Sequence, residues 1–192
     1  MSVEDLITAC RFVEVDEHFV AGEAIRHFSC GEADLDDFFR NDVALNTEKM
    51  VGRTYAFVRE KDGVIVSIFT IATDSINVSV LLNNRRRKIK EMVEKPLRRY
   101  PGILIGRLGV NKDLEGLGYG TAIMEYIKLW LMDSVPVGFR FLIVDAYNNP
   151  KTLHFYEKNQ FYYVFSTEQQ EIESSGIATC PTRLMIYDFR SA

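Results

Sequence analysis

Apolar positions along this chain fall into two rhythms, one of period two and one of period three to four. Arg11 to Asp16 alternates Phe12, Val13 and Val15 with Glu14 and Asp16, which predicts a first strand. From about Glu32 to Lys49, Leu35, Phe38, Phe39 and Val43 make an apolar stripe at helical spacing. Acidic residues crowd the front of that segment. They suit the positive end of a helix, and they lack the spacing of metal ligands. Arg53 to Arg59 and Val64 to Thr73 are rich in β-formers, and Lys61-Asp-Gly63 between them predicts a hairpin. A helix starting at Asn83-Asn84 would carry Ile89, Met92, Val93 and Leu97 on one face, with Pro96 ending or bending it.

The second half reads more firmly. Ile103 to Val110 is an apolar run that predicts a strand. Tyr119 to Asp133 predicts a helix, apolar on nearly every side and so packed against a sheet. Phe139 to Tyr147 follows, with Phe141-Leu-Ile-Val144 continuous enough for a strand buried on both faces. Strand, helix and strand in that order imply parallel neighbours joined by a right-handed crossover. Pro150 is placed to open a helix reaching Lys158. Phe161 to Ser166 reads as strand, polar Thr167 to Thr179 as loop, and Arg183 to Phe189 as the last strand. The expected fold is α/β in the α+β sense, a mixed sheet with helices on both faces.

Composition changes the picture only in part. The 192 residues are 47% hydrophobic, enough for one domain spanning 1–192 with a substantial core. The net charge of -4 is mild, but Arg85 to Arg99 holds eight Lys/Arg against two Glu. That segment is about +6 and the remainder about -10. Cys10, Cys30 and Cys180 are scattered, implying neither a disulfide framework nor a zinc site. Met1 to Cys10 has no apolar core of a signal peptide, and no run approaches a membrane span. A reducing cytoplasm is the expected setting, with no metal and no membrane partner.

The stretch between the strand ending at Val110 and the helix starting at Tyr119 carries the candidate chemistry. Gly116, Gly118 and Gly120 alternate there. Glycine allows a sharp turn and close approach of backbone N–H groups, and a helix start adds unpaired donors and a positive dipole end. Such a place suits a phosphate or diphosphate. The spacing is neither that of a P-loop nor that of the dinucleotide fingerprint.

Glu115-Gly116-Leu117-Gly118-Tyr119-Gly120 instead resembles the acyl-CoA loop of the GNAT acetyltransferase superfamily, Gln/Arg-x-x-Gly-x-Gly/Ala, with Glu115 where that family prefers Gln or Arg. Asn149-Pro-Lys-Thr152-Leu-His-Phe155-Tyr156-Glu-Lys-Asn-Gln160-Phe161 resembles a second segment of the same family, with Thr152 in place of Ala and Gln160 in place of Gly. The resemblance implies a mostly antiparallel sheet with one splayed parallel pair holding acyl-CoA. It implies acetyl-CoA as co-substrate, held by Leu108, Gly109, Val110, Glu115, Gly116, Leu117, Gly118, Tyr119, Gly120, Thr121, Asn149 and Tyr156. The implied catalytic groups are the Val110 N–H, for the oxyanion, and the Tyr156 hydroxyl, for the departing thiolate. The general base is left unassigned.

The implied activity is acetyl transfer to a primary amine of a small-molecule or peptide acceptor. A toxin-like branch, which acetylates aminoacyl-tRNA and is paired with an antitoxin, is a second reading. Cys30-Gly31-Glu32-x-x-Leu35-Asp36-x-Phe38, Arg53-Thr54-Tyr55 and the segment around Arg98-Arg99-Tyr100-Pro101-Gly102 are similar to it. In that reading the tRNA meets the basic segment from Arg85 to Arg99. A module that binds acyl-CoA without turnover is a third reading, and a homodimer is compatible with all three.

Overall fold

A computed structural model describes residues 1–81 and 97–190, with Arg86, Arg87, Ile89 and Lys95 between them. The helix expected from Asn83-Asn84, and with it most of the basic segment, lies outside the described residues. The strands are β1 (Cys10–Glu14), β2 (Arg53–Arg59), β3 (Ile65–Asn77), β4 (Arg99–Val110), β5 (Phe141–Tyr147), β6 (Tyr162–Tyr163) and β7 (Thr182–Asp188). They lie in the order β1-β2-β3-β4-β5-β7-β6. β4 and β5 run parallel within an otherwise antiparallel set, the mixed sheet expected from the sequence.

The chain forms two compact units, residues 1–72 with 105–135 and residues 73–104 with 136–192. β3 and β4 pass from one to the other. In the first unit, helix α1 (Val3–Ala9) opens with a capping box. Ser2 Oγ accepts from Asp5 N–H at 3.1 Å, and Asp5 Oδ2 accepts from Ser2 N–H at 3.0 Å. Short helices α2 (Glu17–Ala21) and α3 (Glu23–His27) follow β1. The expected helix over 32–49 is two helices, α4 (Ala33–Asn41) and α5 (Val43–Glu48), broken at Asp42. The apolar stripe runs on through the break, so periodicity alone could not reveal it.

Helix α6 (Tyr119–Ser134) covers one face of β1 to β3. Tyr126 and Trp130 bring their rings to 5.0 and 5.1 Å from Phe12, which also stacks on Tyr55 and Phe69. Ala122, Ile123, Met124, Ile127 and Leu131 are buried beneath the helix. Leu129 and Met132 are 57% and 62% exposed, so this helix is one-sided and not apolar-packed all round as its composition suggests.

In the second unit the core gathers Ile76, Val78, Tyr100, Phe141, Ile143, Val164 and Ile186. Phe141 through Val144 are buried on both faces, as their unbroken run predicts. Beside the core, Arg140 donates two hydrogen bonds to Asp188 at 3.1 and 2.9 Å, pairing two buried charges. Helix α7 (Pro150–Lys158) matches its sequence boundaries.

Two expectations fail here. The strand over 161–166 shrinks to Tyr162–Tyr163. The stretch read as loop, 167–179, contains helix α8 (Glu168–Ser175), capped by Thr167 Oγ1 accepting from Gln170 N–H at 3.3 Å. That helix has no apolar stripe to announce it. It is anchored through Glu171, which accepts from Arg183 Nε at 2.7 Å and from Leu184 N–H at 2.6 Å. No helix among the described residues is long and apolar enough to cross a membrane.

Candidate acyl-CoA site

The first group of site residues is the end of β4 and the turn into α6. Asn111 organises it. Its N–H donates to Val66 O at 2.9 Å, its Nδ2 donates to Ile65 O at 3.0 Å, and its Oδ1 accepts from Asp113 N–H at 3.0 Å. In an extended strand consecutive N–H groups point to opposite edges. Since Asn111 N–H faces β3, the N–H of Val110 faces the other edge, and Leu108 is in phase with Val110.

Gly116 (φ 76°) and Gly118 (φ 83°) both adopt the left-handed conformation that glycine takes without cost. Gly118 is the residue before the first helical turn, and no side chain caps that helix. Within the turn, Glu115 and Leu117 already donate their N–H groups, to Lys112 O at 3.2 Å and Leu114 O at 3.4 Å. The donors a helix start cannot satisfy internally then belong to Tyr119, Gly120 and Thr121. Nothing lies within 4 Å of a Cβ built on Gly116, so the turn is open there, while Gly118 lies against Met1. An open turn with a positive dipole end and a row of N–H groups fits a diphosphate. Glu115 carries an exposed carboxylate beside it, whose charge opposes that of a phosphate.

The second group belongs to the other unit. Asn149 caps α7, its Oδ1 accepting from Thr152 N–H at 2.9 Å, with Pro150 at the first helical position. Asn148 has a different job, donating its Nδ2 to Cys180 O at 2.9 Å. Tyr156 is buried, its ring centroid 5.1 Å from that of Phe155 and 5.2 Å from that of Phe161. Burial pushes its phenol well above the usual tyrosine range, so it is a neutral O–H donor at physiological pH. His154, two residues earlier, points its exposed side chain elsewhere on the helix.

The turn after Tyr156 keeps the shape of a glycine turn without the glycine. Gln160 sits at φ 68°. Phe161 N–H donates to Tyr156 O at 3.0 Å and Gln160 N–H to Glu157 O at 2.9 Å, closing α7 in a Schellman arrangement. A left-handed non-glycine residue costs about 1–2 kcal/mol, partly offset by glycine's greater unfolded-state freedom. Gln160→Gly is therefore expected to stabilise the fold by roughly 0.5–1 kcal/mol, seen as a higher urea midpoint at unchanged slope. A lower midpoint would mean that the Gln160 side chain holds something the backbone argument omits.

Asp145, on β5, was not anticipated as a titrating group. Loss of surrounding water, then the like charges of Asp74 and Glu171, push its carboxyl up from the usual aspartate range. These three acids come from three distant segments, and no local motif could have announced them. Cys10, Cys30 and Cys180 are free thiols. Among the described residues no group of three or more His, Cys, Asp or Glu is placed to hold a metal ion.

Compared with known proteins, residues 28–161 match the acetyltransferase (GNAT) family over both groups of site residues. The chain belongs to the GNAT acetyltransferase family. It is an acetyl-CoA-dependent N-acetyltransferase by that membership. Among its relatives is a tRNA-acetylating toxin of Mycobacterium tuberculosis (strain ATCC 25618 / H37Rv), 27% identical over 145 residues, which cover 75% of this chain and 78% of the toxin. The fold is shared with AtaT complexed with acetyl-methionyl-tRNAfMet, at TM-score 0.70 and 19% identity, covering 95% of this chain and 96% of that one. It is shared too with a mutant AtaT toxin bound to the C-terminus of the antitoxin AtaR and acetyl-CoA. There the TM-score is 0.64 at 16% identity, with 95% of each chain covered.

Proposed function

We propose that this chain is the toxin of a toxin–antitoxin pair and moves the acetyl group of acetyl-CoA onto the α-amino group of aminoacyl-tRNA. The likeness to the mycobacterial tRNA-acetylating toxin over three quarters of the chain carries this reading. The basic segment from Arg85 to Arg99 supports it, as a counter-charge for an RNA backbone in an otherwise acidic protein. The fold shared with AtaT suggests an antitoxin peptide as the protein partner.

The chemistry suits such an acceptor. An α-amino group has a pKa of about 7.7–8.0, against about 10.4 for a lysine side chain, so a useful fraction is neutral at physiological pH. Its nitrogen attacks the thioester carbonyl to give a tetrahedral oxyanion. The C–S bond breaks as the carbonyl re-forms, and the extra proton on nitrogen leaves to water, which in turn restores the proton that Tyr156 gives up. In this reading Tyr119, Gly120 and Thr121 hold the diphosphate through their N–H groups. The Val110 N–H takes the developing oxyanion. The buried phenol of Tyr156 donates its proton to the departing thiolate.

The test is to incubate the protein with acetyl-CoA and a mixture of charged tRNAs, then read the released amino acids by mass spectrometry. N-acetylated amino acids are expected from charged tRNA, and none from free amino acids. If a peptide or small amine is acetylated and charged tRNA is not, the broader amine-acceptor reading replaces this one. If acetyl-CoA binds and no acceptor is ever modified, the chain is a binding module.

A further inference from the structure

We infer that Asp36 is a positioning residue for the Val110 peptide, acting through the turn formed by residues 28–31. This rests on the proposed role of the Val110 N–H. Asp36 lies in the first turn of α4, where an acid would ordinarily be read as a partner of the helix dipole. Its carboxylate is instead buried and committed to the preceding turn. Oδ2 accepts from Ser29 Oγ at 2.6 Å, and Oδ1 accepts from Cys30 N–H at 2.8 Å. Arg40, one helical turn on, donates from Nη2 to Phe28 O at 2.7 Å and stands 3.8 Å from Asp36. Residues 28 to 30 are thus fixed from both ends by one turn of α4.

That turn touches the chain on each side of Val110, at Gly109 in β4 and at Lys112 just past it. A Cβ built on Gly109 would lie 2.9 Å from Phe39 Cε2, 3.1 Å from Cys30 Cβ and 3.2 Å from Cys30 Sγ. Gly109 is therefore glycine because Cys30 and Phe39 already fill the space. Two residues past Val110, Lys112 N–H donates to Ser29 O at 2.9 Å. Two residues before Gly109, the Arg107 guanidinium lies 4.0 Å from the centre of the Phe38 ring. Arg107 and Gly109 share one face of the strand, and both meet α4 or the turn that Asp36 holds. Hydrogen bonds from Asn111 to β3 pin the edge of the chain just past Val110. The Val110 peptide sits between these two sets of restraints. Its direction is set by a carboxylate more than seventy residues earlier that need not touch any substrate.

Asp36 also has an electrostatic reason to stay ionised. Burial pushes its carboxyl up, but the hydrogen bonds from Ser29 and Cys30, and then the charge of Arg40, bring it below the usual aspartate value. An amide in its place keeps the shape, yet it turns an NH2 toward one of two donors. Asp36→Asn should leave the fold in place and release one side of the turn.

The test compares Asp36→Asn with the wild type, with Ser29→Ala as a milder variant that removes one of the two bonds. A misplacement of about 1 Å can cost about 100-fold in rate, so kcat is expected to fall by about 10- to 100-fold in Asp36→Asn and less in Ser29→Ala. The affinity for CoA without the acetyl group should change less than about twofold, because Asn111 keeps its own hold on the start of the diphosphate turn through Ile65, Val66 and Asp113. A kcat within about twofold of wild type in both folded variants overturns the inference. So does CoA affinity falling in step with kcat, which marks general loosening. If Asp36→Asn does not fold, Ser29→Ala alone decides by the same criteria. Wild-type protein inactive on charged tRNA would remove the proposed acceptor and leave this inference standing. It is then read from the ratio of acetyl-CoA to CoA affinity, which must fall in the variants.

Discussion

Tyr156→Phe should lower kcat by about 10²–10⁴-fold while KM for acetyl-CoA stays within about twofold, because the change removes one proton donor and no packing surface. The ring remains between Phe155 and Phe161, and only the hydroxyl is lost. On the toxin reading proposed above, expression of the wild type should arrest growth and expression of the variant should not. The pH behaviour gives an independent check. An unfolded tyrosine ionises near pH 10, whereas burial holds the native phenol protonated above that. Between those two values the native state keeps a proton that the unfolded chain has released, so stability falls as pH rises. Tyr156→Phe removes that component, and its urea midpoint should decline less steeply than the wild type's between about pH 9 and 11. A variant that turns over as fast as the wild type would take the acid role away from Tyr156.

Gly118→Ala is expected to weaken binding of both CoA and acetyl-CoA by about tenfold or more, with a loss of about 1–2 kcal/mol in stability. Two causes act together. The backbone at φ 83° is unfavourable for any residue with a Cβ, and that Cβ would stand 3.2 Å from the Met1 nitrogen. Relief of either strain moves the first turn of α6, where the unpaired N–H groups of Tyr119, Gly120 and Thr121 begin. Calorimetric titration with CoA reads the effect directly. Full affinity in a folded variant would mean that the diphosphate is held elsewhere.

The turn and helices proposed to carry the site were legible because each is local. Gly116 and Gly118 require left-handed turns, and the apolar runs on either side are long enough to name as strand and helix. Asn149, Pro150 and Tyr156 likewise sit on one helix whose start signal is written in adjacent residues. What escaped notice depends on long-range partners. Asp36 looks like an ordinary acid at a helix start until Ser29 and Cys30 are seen to donate to it. The helix over 168–175 is polar throughout, and its anchor Arg183 lies in the last strand. Gln160 shows the opposite case, where a residue other than glycine stands in the turn and the backbone nonetheless adopts the left-handed shape.

Both compact units are assembled from two separated pieces of chain, and this shapes how the protein is made. The first unit cannot close until residues 105–135 have left the ribosome, although its opening piece ends at residue 72. During that interval Phe57 on β2 and Phe69 on β3 have no helix α6 to cover them. Joining pieces so far apart favours slow assembly and exposes sticky edges to neighbours on the polysome. Truncation at residue 72 or 104 leaves the first unit without residues 105–135, and truncation at 135 leaves the second without residues 136–192.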